Sequence, residues 1–395
     1  MDRYLVISSD CHAGLPNEQY REWLDPEFRP AFDDSLADRA RLLELAQRGI
    51  LNEEFAEEWE RENEEGLRGG WDAARRDKEL EADGVVGEVL FPDADAVSSG
   101  ASAPFGAGLS AGGDADPTLL LAGARAHNRW LAEMCALSPE RRAGIAIVPI
   151  FDVPAAVQEI HRARESGLRG GILIPSMWTP YPPYHDPVYE PVWAACAELQ
   201  MPVHVHSGNA DKASYGAYVG MYVTEVRWWS TRPLHFLLWA GVFERHPDLR
   251  FVATECGAFW AADLLWMMDT AYDREHGAKK LGEQLTAHLS MRPSAYFDRN
   301  CSIGAARTCF GAGNCASPNK AQNRPRIVSA ALPFMSLPAE AAVGEVLGTF
   351  SVVVAMIRTR SSPRPSSSAT TWATFTYSPC PISIPPWESW TLPSV

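Results

Sequence analysis

Short runs of consecutive apolar residues, each closed by turn residues, alternate with amphipathic stretches over the first 300 residues of this chain. Residues 4–8, 85–91, 143–150, 171–175, 202–206, 250–255 and 296–303 have the length and β-branched content of buried strands. Helical spacing predicts helices over 127–137, 153–167, 188–199, 233–246 and 258–272. Asp186 followed by Pro187 gives the third of these an N-cap and a first-turn proline. Residues 33–83 are charge-dense with a helical pattern and read as a solvated helical insertion. The Gly/Ser/Ala-rich stretch at 98–115 reads as a loop.

Continuous apolar strands separated by helices imply an α/β fold whose parallel sheet is covered by helices. The turn after the first strand is Asp10-Cys11-His12-Ala13-Gly14, without the glycine-rich phosphate turn of a doubly wound sheet. A (β/α)8 TIM-barrel is therefore the expected architecture. Its eighth strand has only residues 351–357 (SVVVAMI) as a source. The barrel is accordingly expected to be incomplete or aberrant at its eighth βα unit.

Composition sharpens that suspicion. The 395 residues carry a net charge of −15, which disfavours phosphate backbones and excludes nucleic acid as the expected partner. Of the 50 acidic residues only Glu340, Glu345 and Glu388 follow residue 300, against seven of the 35 basic ones, and every Asp and His precedes residue 301. The chain thus divides into a barrel over 1–305 and a Ser/Pro-rich, acid-poor tail over 306–395. The tail is either disordered low-complexity sequence or the product of a reading-frame shift after Ile303-Gly304-Ala305. A frameshift accounts better for charge pattern and amphipathicity vanishing at one point. No apolar run approaches the roughly 20 residues that span a bilayer, and the N-terminal run is too short for a signal peptide. Eight cysteines without a CxxC pair speak against a zinc ribbon or a disulfide framework. A cytoplasmic protein without a membrane partner is expected.

In a barrel, chemistry collects at the carboxyl ends of the strands. Strand one ends in Asp10-Cys11-His12, whose period of two puts Asp10 and His12 on one side and Cys11 on the other. Strand five carries His204 and His206, and strand six ends in Thr254-Glu255. Imidazole and carboxylate donors at one end of a barrel suit a catalytic divalent metal that keeps a position open for water. Trp178, Tyr181 and Tyr184 follow strand four and could wall an aromatic pocket. Arg232, among Arg227, Trp228, Trp229 and His235, could clamp a substrate carboxylate, with helix packing as the plainer reading.

The turn DCHAG, EVLFP, NRWLAE, LRGGILIP, PYHDPVYEPVW, PVHVHSG and GVFERHPDLRFVATECG, in that order, resemble the amidohydrolase-related family. The branch concerned includes aminocarboxymuconate-semialdehyde decarboxylase and γ-resorcylate decarboxylase, and the likeness runs from residue 1 to about 305. It implies a metal-dependent (β/α)8 barrel acting on a small molecule. It places the metal ligands on Asp10, His12 and His206, with one divalent ion, Zn²⁺ first and Mn²⁺ second. His204 then becomes a supporting or core histidine. The family's strand-six histidine falls on Glu255, a departure that leaves a carboxylate as acid/base. The family's Gly-Ser-Asp-x-Pro-His segment on strand eight has no counterpart, since no Asp follows Asp298.

The expected reaction is hydrolysis of a small organic acid, cyclic, ester or amide substrate by metal-activated water. The alternative is non-oxidative decarboxylation of an aromatic or muconate-type acid, and the second alternative is an inactive product of a gene damaged in its 3′ part. Family members pair into dimers, so a homodimer is compatible with the resemblance.

Overall fold

The computed structural model describes residues 3–36, 53–93, 102–109, 115–208, 210, 215, 218–278, 286–304 and 356–359. Seven strands run parallel: β1 (Arg3–His12), β2 (Val85–Phe91), β3 (Arg142–Ile147), β4 (Gly171–Leu173), β5 (Val203–His206), β6 (Phe251–Thr254) and β7 (Cys301–Gly304). Each pairs with its neighbour in chain order, so the sheet curls round as an α/β barrel wall. Side chains alternate across it. Val89, Phe91, Ala143, Ile145 and Leu173 form a small cluster on the inner face. Leu90, Ala146, Ile172, Val203, Val205 and Ala253 join the larger core beneath the helices.

The helices that follow the strands are α1 (Glu53–Leu67), α2 (Ala73–Asp83), α3 (Pro117–Ala136), α4 (Val153–Glu165), α5 (Glu190–Glu198), α6 (Val219–Trp239), α7 (Val242–Arg245), α8 (Phe259–Ala278) and α9 (Pro293–Asn300). Aspartates start several of them. The Asp72, Asp116 and Asp152 carboxylates accept from the backbone N–H groups of Arg75, Thr118 and Ala155. Asp186 caps as expected, but what it caps is the short 3-10 turn Pro187–Tyr189 that leads into α5. Gly84 ends α2 in the left-handed conformation at φ 72°, turning the chain straight into β2.

Three expectations change. Residues 296–303 are mostly helix, not strand, because Pro293 opens α9 and only Cys301–Gly304 pairs with β6. Pro233 does not open a helix. It sits inside α6, which already starts at Val219, and costs that helix a backbone N–H donor. The eighth strand is β8 (Met356–Thr359), and it runs antiparallel to β1, so it does not extend the parallel ladder. The expected insertion contains α1, α2 and the turn Arg68–Gly70, while 37–52 and, apart from β8, 306–395 lie outside the described residues. Among the described residues no helix is long and apolar enough to cross a membrane.

Candidate metal centre

The end of β1 carries a register shift between Ser8 and Cys11, after which Cys11 lies opposite Leu90 and His12 opposite Phe91. Such an irregularity re-aims side chains at a strand end. Asp10 and His12 turn toward the inner face, where the His12 ring lies 6.0 Å from that of Phe91. Cys11 packs against the helix-side core, as the period of two requires. Across the barrel β5 supplies His206, whose ring lies 4.7 Å from Phe91 and 5.0 Å from His12, nearly perpendicular to the latter.

Asp10, His12 and His206 are the one group of three metal-capable donors among the described residues, with donor atoms all within 4.8 Å of one another. His206 Nε2 stands 3.1 Å from Asp10 Oδ1, and His12 Nε2 stands 3.6 Å from the same oxygen. Both rings are oriented from behind. His12 Nδ1 donates to the Pro92 carbonyl at 2.8 Å, and His206 Nδ1 to the Ser207 carbonyl at 2.5 Å. Each ring therefore presents Nε2 to the centre. The position of β5 is secured by Ser230 of α6, whose hydroxyl donates to the His206 carbonyl at 3.1 Å. Burial pushes the Asp10 carboxyl up, but hydrogen bonds and charge from His12 and His206 outweigh it and hold Asp10 well below the usual range. His12 is raised above its ordinary value, because the Asp10 carboxylate overcomes the opposing effect of burial.

Glu255 follows β6 in the left-handed region at φ 57°, unusual for a glutamate. Its backbone N–H donates to the Gly304 carbonyl at 2.8 Å. Its half-exposed carboxylate lies 3.6 Å from His206 Nδ1, at the edge of the cluster. His204, two residues before His206 on β5, is not part of the group. Its Nε2 donates to the Gly170 carbonyl at 2.9 Å, its Nδ1 is buried without a partner, and burial pushes its pKa down to about 4.

Arg232 and Trp178 meet each other. The guanidinium lies 4.7 Å from the Trp178 ring centre and within 6 Å of those of Trp228, Trp229 and Phe236. Neither makes a hydrogen bond, ion pair or ring contact with the three donors among the described residues. Tyr184 is buried and donates to the Pro175 carbonyl, and Tyr181 stacks on Phe151, so both pack loops in place.

Sequence reading missed the groups behind β1. Glu88 on β2 is fully buried on the helix side, bound by Arg76 of α2, and Arg76 also donates to the His12 carbonyl. The available signal was a glutamate in the middle of the apolar run VVGEVLF, because a buried carboxylate demands a partner.

Three comparisons bear on this geometry. The amidohydrolase family pattern matches residues 10–276. γ-Resorcylate decarboxylase from Rhodococcus jostii (strain RHA1) is 31% identical over 161 residues, which is 37% of this chain and 48% of that protein. The chain thus matches about half the length of its curated relatives. Among solved structures, 5-carboxyvanillate decarboxylase from Sphingomonas paucimobilis superposes with a TM-score of 0.53 at 20% identity, over 76% of this chain and 80% of that one. A substituted 5-carboxyvanillate decarboxylase from Novosphingobium aromaticivorans, with bound manganese and 3-methoxy-4-hydroxy-5-nitrobenzoic acid, gives 0.52 at 17% identity over 76% and 79%. These superpositions carry the fold, that of a (β/α)8 barrel, of which seven parallel strands and an antiparallel β8 lie among the described residues. With the family pattern covering well over half of its residues, the chain belongs to the amidohydrolase family.

Proposed function

We propose that this chain is built to remove the carboxylate of a small hydroxylated aromatic acid without oxidation. The observation that carries the reading is the Asp10–His12–His206 group, both of whose imidazoles are locked by backbone carbonyls with Nε2 facing one carboxylate oxygen. Decarboxylase relatives support this over hydrolysis, the sequence's first expectation. Two imidazole nitrogens and one carboxylate oxygen fit a first-row divalent ion, and the pinned Nδ1 atoms are the backing such ligands need. Manganese, bound by one structural neighbour, stands beside zinc as a candidate. When bound, such an ion would polarise the substrate's carboxylate and adjacent oxygen.

The chain's own residues do the rest. Asp10, His12 and His206 hold the site in one orientation. Glu255, half-exposed at the edge of the cluster beside His206, delivers a proton to the ring carbon bearing the carboxylate. The carbon–carbon bond then breaks, its electron pair returns to the ring, CO₂ leaves, and a solvent proton restores Glu255. Arg232, in its aromatic surround, is a further candidate for attracting the anionic substrate.

A second reading is favoured by the abrupt charge break after residue 305 and by a β8 that does not continue the parallel ladder. There the chain is the inactive product of a shifted reading frame. One experiment separates the two. The purified chain is analysed for bound Zn²⁺ and Mn²⁺, then incubated with 2,6-dihydroxybenzoate and 5-carboxyvanillate, and in parallel with simple esters and lactones. Metal-dependent CO₂ release, lost in Asp10→Asn and His206→Ala, supports decarboxylation. Ester or lactone turnover without CO₂ restores hydrolysis, and a metal-free, inert chain supports the damaged gene.

A further inference from the structure

Behind the metal-capable strand lies a buried charge network that none of the chemistry above uses. Glu88 projects from β2 to the helix side, fully buried. The Arg76 guanidinium of α2 grips it through Nε at 2.8 Å and Nη2 at 2.7 Å, a two-pronged contact that fixes the plane of the guanidinium. The remaining nitrogen, Nη1, donates to two backbone carbonyls at 2.9 Å each: that of His12 and that of Gly69 in the turn Arg68–Gly70. On the other side of Glu88, Arg142 of β3 approaches Oε1 at 3.4 Å and binds Asp77 of α2 at 2.6 Å. Arg141 also approaches Asp77 at 3.5 Å, and of these arginines Arg76 is the one that donates to the His12 carbonyl at the end of β1.

The place where it reaches matters. His12 is the last residue of β1, and its peptide bond to Ala13 is tied to β2 through the Ala13 N–H, which donates to the Phe91 carbonyl at 2.9 Å, while Arg76 holds the oxygen of that same peptide. The His12 ring is held by Pro92, at the end of β2. The His12 backbone is held by Arg76, whose own anchor is Glu88 on the same strand. Ring and carbonyl of the ligand are therefore both referenced to β2. A cavity of about 310 Å³ opens beside this point, lined among others by Asp10, His12, Gly69, Gly70 and Arg76.

We propose that Arg76, oriented by Glu88, is a positioning residue that sets the His12 imidazole for metal binding. The inference rests on the reading of Asp10, His12 and His206 as a metal site. The test is titration of the metal-stripped full chain with Co²⁺, followed by absorbance and by competition with a chelator, with thermal unfolding of the metal-free chain alongside. Arg76→Lys can keep a charge against Glu88 but cannot hold Glu88, His12 and Gly69 together, and should weaken Co²⁺ binding about 10- to 100-fold, the range found for groups that orient ligands. Asp77→Asn loosens the Arg142 half of the network and should lower the unfolding temperature while leaving Co²⁺ affinity within about twofold of the parent. Arg76→Met with Glu88→Leu removes both charges of the pair, leaves Arg142 with Asp77, and guards against a variant that fails from an unpaired buried charge. It should fold and show the same loss of affinity as Arg76→Lys. The proposal is overturned if the Arg76 variants bind Co²⁺ like the parent, or if Asp77→Asn loses as much affinity as they do. A parent chain that takes up no Co²⁺ overturns the metal reading and this inference with it.

Discussion

Acid should weaken this fold through one histidine far along the chain from the metal-capable group. His127 of α3 is fully buried. Its Nδ1 lies 2.8 Å from the Tyr20 hydroxyl, and that hydroxyl also accepts the Leu15 N–H at 3.1 Å. The hydroxyl proton is thus free to go to Nδ1, which leaves the ring neutral with its own proton on Nε2, an atom without a partner. Burial pushes its pKa down to about 3, from an ordinary value of 6.5. Above pH 6.5 the ring is neutral in both folded and unfolded chains and contributes no pH dependence. Below it, the unfolded chain takes up a proton that the folded chain refuses, so stability falls as pH falls, by about 1.4 kcal/mol per unit. Between pH 7.5 and 4.5 the loss is about 3 kcal/mol, a large share of the ~5–15 kcal/mol that holds a typical domain folded. The assay is urea unfolding followed by circular dichroism at pH 7.5, 6.5, 5.5 and 4.5, for the parent and for His127→Gln. Glutamine still offers Tyr20 an acceptor but does not titrate. The stability difference between the two should shrink, or reverse, by about 3 kcal/mol across that range. Parallel pH profiles would refute the reasoning.

The fold was legible to the extent that the strands announce themselves by composition alone. VVGEVLF and the runs feeding β3, β4, β5 and β6 are rich in buried apolar residues, as strands covered by helices must be, and they lie within a few residues of their expected places. What failed had a common cause, a proline or a short apolar run read locally. Pro233 looks like a helix start because proline is favoured at first turns, yet tertiary packing keeps it inside α6. Residues 296–303 contain enough apolar residues for a strand, but Pro293 and the run Asp298-Arg299-Asn300 belong to α9. Asp10 and His12 were legible as a pair because strand ends and alternation fix where side chains go, whereas alternation left His204 and His206 on one face and the resemblance to the family singled out His206. The hydrogen bonds that aim them were not, since the Pro92, Ser207 and His12 carbonyls are main-chain groups that any residue carries. Nor could sequence separate Arg232 from its neighbours, because only the folded chain brings Trp178 over the guanidinium.

Two further perturbations probe how the strand ends are held. Asn128 of α3 is buried, accepts the Ile147 N–H at 2.8 Å, and donates to the Ile147 carbonyl at 3.0 Å and to Glu159 at 2.9 Å. Asn128→Leu strands those partners at the end of β3 and should cost about 2–4 kcal/mol in urea unfolding, and a loss below 1 kcal/mol would contradict it. Gly171→Ala acts closer to the site. Gly171 opens β4 at φ 118°, a conformation that L-residues avoid, and an added Cβ would sit 2.2 Å from the Pro202 carbonyl oxygen and 2.9 Å from Cδ2 of His204. Neither neighbour can yield cheaply. The Pro202 carbonyl accepts the Ile172 N–H that ties β4 to β5, and the His204 ring is fixed by Gly170. The strain alone costs about 1–3 kcal/mol, and relieving the overlap means pushing β5 away from β4. Because β5 carries His206 two residues beyond His204, the same displacement that lowers stability should also weaken metal uptake. Gly171→Ala should therefore lose both, and a variant with parental stability and parental Co²⁺ affinity would show that β4 does not set the position of β5.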